Sequence, residues 1–128
     1  MDSVIDVVNG SNQRGGRMLS VPDLVEAGTL TVELAAWLIG RIESGSSFLV
    51  GANPGGAGKT AVAGALLAML PASEPVYVTH RGGRWKTAGP GECVVAYEIS
   101  PASFTAYVWG EECRRLARLG LNGSRIRQ

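Results

Sequence analysis

One histidine, two cysteines and an aromatic content of only 6% leave this 128-residue chain with few side chains for metal centres or aromatic binding platforms. Cys93 and Cys113 stand twenty residues apart, without the close pairing of zinc sites, and His80 adds only one further candidate ligand. Reduced thiols in a cytosolic protein are the expectation they support. Charge of one sign is lacking too. Twelve basic residues against eleven acidic ones give a net charge of +1, which supplies no overall attraction toward nucleic acid or anionic lipid, so neither is an expected partner. The longest apolar run, residues 61–70, is too short to cross a bilayer, and no basic region precedes the brief apolar stretch at residues 4–8. A signal peptide and membrane insertion are therefore not expected, and a cytoplasmic location is.

Glycine is plentiful and clusters in three places. Residues 9–17, Asn-Gly-Ser-Asn-Gln-Arg-Gly-Gly-Arg, have the composition of a flexible connector. Residues 1–18 therefore read as a flexible N-terminal segment with a short strand at 4–8, and residues 19–128 as one domain. Residues 80–91 form a basic loop carrying Trp85 as an exposed aromatic. A solvated loop is its plain reading, and stacking on a base is the alternative.

The third cluster carries the chemistry. Residues 47–60 read Ser-Phe-Leu-Val-Gly-Ala-Asn-Pro-Gly-Gly-Ala-Gly-Lys-Thr, a short apolar strand running into a turn that closes on Gly58, Lys59 and Thr60. In such a phosphate-binding loop, Asn53, Pro54, Gly55, Gly56, Ala57 and Gly58 let backbone N–H groups curl around the β- and γ-phosphates. Lys59 adds a positive charge, and the Thr60 hydroxyl can ligate Mg²⁺. The helix that follows points its positive dipole end at the anion. Asn53 stands where the pattern G-x-x-x-x-G-K-[ST] has its first glycine; asparagine tolerates left-handed backbone, so the turn can still form. ATP with Mg²⁺ is the expected ligand pair.

The rest of the chain supplies a frame. Ser20, Val21 and Pro22 open a brief helix that Gly28 ends. A longer helix is predicted over residues 31–44, where Leu34, Leu38 and Ile42 recur every fourth position beside Ala35 and Ile39, with Trp37 at the core edge. A helix over residues 60–70 is apolar all round and stops at Pro71. Residues 76–78 and 93–97 are near-continuous apolar runs of the kind buried in parallel sheets. Ser100 and Pro101 start a helix to about residue 119, on which Glu111 and Arg115 lie four apart. This order predicts an α/β fold: a three-layer P-loop NTPase core of the RecA-like kind around a short parallel sheet, expected to be incomplete.

Residues 93–98, Cys-Val-Val-Ala-Tyr-Glu, form a buried strand ending in an acid, the layout of a Walker B element. A parallel sheet brings the end of that strand beside the end of the phosphate-loop strand, where Glu98 can hold Mg²⁺ or polarise the attacking water. A strand-end glutamate that caps Ser100 or faces solvent is the plainer alternative.

Together these stretches resemble the secretion ATPases of the type II/IV superfamily, the motors of protein secretion, pilus assembly and conjugation. The resemblance runs over roughly residues 20–100. It rests on the helix pair at 23–38, the Walker A segment at 47–60, the helix end with its proline at 67–72, and the Walker B strand at 95–99. It implies that Lys59 holds the phosphates, Thr60 the Mg²⁺, and Glu98 the Walker B role, in a homo-oligomer or larger motor assembly. The family has an acidic box after its second strand, where this chain has His80 and Arg81, and a histidine box beyond the point where this chain ends. The expectation is a fragment or a reduced relative whose ATPase activity is weak or dependent on assembly. A non-catalytic interaction module with a vestigial loop, docking through Trp37 or Trp109, is the competing reading, and a small phosphotransferase a third.

Overall fold

Serine and threonine set the helix starts. In the computed structural model, which describes residues 3–10, 18–51, 59–71, 74–79, 82–99 and 107–128, Ser20 caps helix α2 (Val21–Glu26). Its hydroxyl accepts from the Asp23 N–H while the Asp23 carboxylate accepts from the Ser20 N–H, a closed capping box contributing about 1 kcal/mol. Thr31 caps α3 (Val32–Glu43) in the same way through the Leu34 N–H. Helix α4 (Lys59–Leu67) follows the glycine-rich segment, and α5 (Glu111–Leu121) begins after Gly110, whose φ of 66° suits glycine.

The N-terminal segment departs from expectation. Residues 4–8 are not a strand; Val4–Gly10 form helix α1, with Ser3 accepting from the Asp6 N–H at its start. Val4 and Val7 lie on one helical face and are buried against Leu66 and Leu67 of α4 and Leu70 just beyond it. Ordered structure therefore starts well before residue 19.

Three parallel strands, β1 (Val76–Val78), β2 (Cys93–Val95) and β5 (Arg125–Arg127), form the sheet in the order β1, β2, β5. Residues 48–50 run alongside β5 through the parallel Phe48–Arg127 bridge. The Phe48 N–H donates to Ile126, the Gln128 N–H to Phe48 and the Val50 N–H to Gln128. Strand β5 is thus inserted between β2 and residues 48–50, so the expectation that these two are neighbours is corrected. Two further short parallel strands, β3 (Glu98–Ile99) and β4 (Tyr107–Val108), pair with each other. The predicted helix from residue 100 is also corrected: residues 107–108 are strand, and the helix starts only at Glu111.

Helices cover both faces, as an α/β fold requires. Val76, Val78, Cys93 and Val95 face α1, α4 and Ile42 of α3. Val94 and Ile126 face the other way, against Trp85, Ala88 and Leu116 of α5. A third cluster joins Val21 and Leu24 of α2 to Ala35 of α3 and Ala65 of α4, so α4 is covered on several sides, as its sequence demands. After residues 48–50 the chain crosses by α4 to the far edge of the sheet, then returns strand by strand with α5 on the opposite face. The strand order thus reverses beside the carboxyl ends of β5 and residues 48–50, the place where ligands bind in open α/β sheets.

Three aromatic and apolar placements differ from the sequence reading. Trp85 is 1% exposed, because residues Arg84–Thr87 coil into a 3₁₀ turn that turns the indole inward. Trp37 is 61% exposed, with the Arg41 guanidinium 6.0 Å from its ring. Leu34 is also exposed; the inward stripe of α3 is centred on Ala35 and Ile42. No helix among the described residues is long and apolar enough to cross a membrane.

Candidate functional site

The carboxyl ends of β2 and β5 and the first turn of α4 meet around a small cavity of about 20 Å³, room for one water molecule. Its wall comprises Lys59, Thr60, Ala63 and Leu67 from α4, Ala96 and Tyr97 just past β2, and Gln128 at the end of β5. Each wall has a simple cause. The Ala96 N–H donates to the Arg127 carbonyl and the Gln128 N–H to Phe48, so the strand ends stay in register one residue beyond the ladder. The apolar side of α4 packs on that register, which sets Lys59 and Thr60, both half-buried, at the rim.

The electrostatics suit an anion. Lys59 brings a positive charge to the first turn of α4, and no acid occupies that turn. The Thr79 hydroxyl, at the carboxyl end of β1, is buried without a hydrogen-bond partner. Among the described residues of the cavity wall, polar side chains come from Lys59, Thr60, Tyr97 and Gln128.

Lys59 and Thr60, adjacent in sequence, both line this cavity. Asn53, Pro54, Gly55, Gly56, Ala57 and Gly58 lie outside the described residues, as do His80 and Arg81. Glu98, described through its backbone, pairs with Tyr107 in the β3–β4 sheet three residues past the end of β2. It is one residue along the chain from Tyr97 on the cavity wall. Tyr97 and Gln128 were not singled out from sequence. A polar residue directly after an apolar strand was the available signal, and it becomes specific only once strand order is known.

The opposite end of the sheet has a different chemistry. Arg127, fully buried, reaches back toward the strand starts, where its Nε donates to the Ser46 carbonyl at 3.1 Å and its Nη1 to Cys93 Sγ at 2.9 Å. The Glu74 carboxylate lies 3.5 Å from Arg127 and 3.6 Å from Arg125. Burial pushes the Cys93 thiol above its ordinary value, against the opposing pull of Arg127. No family model matches this chain, and neither a curated protein nor a solved structure matches it.

Proposed function

We propose that this chain is a P-loop nucleotide-binding domain of RecA-like strand order that binds ATP with Mg²⁺ and hydrolyses it weakly or only in an assembly. One observation carries the reading: the helix that opens with Lys59 and Thr60 faces the carboxyl ends of two parallel strands at the point where the strand order reverses. Strand order supports it further, since β5 separates the phosphate-loop segment from the strand that leads to Glu98.

The residues suit the work. Lys59 and the N–H groups opening α4 bind and orient the terminal phosphates. Thr60 and Glu98 bring hard oxygen donors of the kind Mg²⁺ prefers, and the ion, when held there, offsets charge on the phosphates. Glu98 orients the attacking water, and the resemblance to secretion ATPases makes an arginine from a neighbouring subunit the natural complement for turnover. Exposed Trp37 and Trp109 favour the second reading, an interaction module, and they are equally consistent with subunit contacts of a motor.

A titration of fluorescent ATP analogue with Mg²⁺ into wild type and Lys59→Ala tests the proposal. Loss of the charged hydrogen bonds should weaken binding by about ten- to a hundredfold. Equal affinities would sink the assignment.

A further inference from the structure

We propose that Tyr97 is a positioning residue that couples docking of the N-terminal helix to phosphate binding, an inference that rests on the nucleotide reading above. Tyr97 is half-buried on the cavity wall with Lys59 and Thr60, and its hydroxyl donates to the Val7 carbonyl of α1 at 2.9 Å. That carbonyl lies in the second half of α1, so the phenol ties the carboxyl-terminal part of the helix to the cavity wall. Val7 is 1% exposed and packs with Leu66 and Leu67, on the same helix whose first residues are Lys59 and Thr60. One side chain therefore touches both the candidate site and the element packed behind it.

The helix is suited to respond. Seven residues are too few for a helix to persist alone, so α1 depends on this packing and on the Tyr97 bond. Docked, α1 holds the Tyr97 phenol and braces α4, which preforms two walls of the cavity. A ligand that needs those walls in place then favours the docked helix, and by reciprocity the docked helix favours the ligand. A single net hydrogen bond limits the coupling to about fivefold.

Hydrogen exchange of the intact chain, with and without Mg²⁺ and a non-hydrolysable ATP analogue, reads both halves. In wild type the analogue should slow exchange of the α1 amides by about fivefold. Tyr97→Phe keeps the ring but lacks the hydroxyl. It should speed α1 exchange without ligand, abolish the ligand-induced protection and weaken analogue binding by about fivefold. Val4→Ala, which loosens α1 without touching Tyr97, should weaken binding in the same direction.

Wild-type exchange and affinity in Tyr97→Phe would overturn the coupling, as would a saturating ligand that leaves α1 exchange unchanged in wild type. Unaltered affinity in a Val4→Ala protein whose α1 exchanges freely would overturn it too. If wild type binds no analogue at all, the nucleotide reading fails and the coupling with it. Faster α1 exchange in unliganded Tyr97→Phe would then show that the hydrogen bond itself is not what failed.

Discussion

At the lower end of the sheet, where the strands begin, Arg127 is fully buried and spends its guanidinium on Ser46, Cys93 and Glu74. At the upper end, where they finish, Lys59 stands half-buried at the rim of a cavity beside Thr60, Tyr97 and Gln128. Arg127 belongs to β5 and Lys59 lies beside Gln128 just past its end, yet the two cations meet different surroundings. A buried charge ringed by partners from residues 46, 74 and 93 ties distant segments together, and removing it leaves those partners unsatisfied. Lys59 stands instead in the first turn of α4 beside Thr60, Tyr97 and Gln128, where the proposed function gives it a phosphate to hold.

The largest expected effect belongs to the lower end. Arg127→Met should lower unfolding free energy by about 3 kcal/mol, since Glu74 keeps only Arg125 and the Ser46 carbonyl loses its donor. Lys59→Ala should stay within about 0.5 kcal/mol of wild type in the same denaturant titration. Equal losses in the two variants would erase the contrast between the ends.

Glu98→Gln sharpens it from the upper side. Removing the charge while keeping the volume should reduce phosphate release by about tenfold or more, with the denaturation midpoint unchanged. Unaltered turnover, in a wild type that hydrolyses ATP, would take Glu98 out of the site.

The smallest effect is an alkaline one at the lower end. The folded chain holds the Cys93 proton above the ordinary thiol value of 9.0, while the unfolded chain releases it there. The unfolded state then binds fewer protons, so the contribution is fully present below pH 9 and is lost as pH rises through the folded value. Chemical denaturation on either side of that pH should show a shallower alkaline decline for Cys93→Ala than for wild type, whatever its absolute stability.

Much of this was legible in sequence where chemistry is local. Ser20, Asp23 and Thr31 announce their helices because capping partners lie three residues away, and the apolar runs at 76–78 and 93–97 both hold strands, although the second ends at Val95 and Glu98 falls in the separate strand β3. Residues 4–8 misled because Val4, Ile5, Val7 and Val8 are β-branched. The deciding features were the Ser3 cap with Asp6 and the packing of Val4 and Val7 on α4. Trp85 misled because its neighbours are basic and polar, while the 3₁₀ turn that buries it depends on Val94, Leu116 and Ile126 from far along the chain. Strand order was beyond local reading for the same reason. Lys59 and Thr60 could be named from their motif, whereas Tyr97 and Gln128 join them only because β5 inserts between β2 and residues 48–50.

Amide chemical shifts followed while Mg²⁺ and an ATP analogue are added to the folded protein test the central claim most directly, because both ends of the sheet are read in one sample. The account predicts changes concentrated at Lys59, Thr60, Ala63, Ala96, Tyr97 and Gln128, with Ser46, Glu74, Cys93 and Arg125 nearly unmoved. Shifts centred on the Arg127 cluster or on the outer face of α5, or none at millimolar analogue, would contradict it.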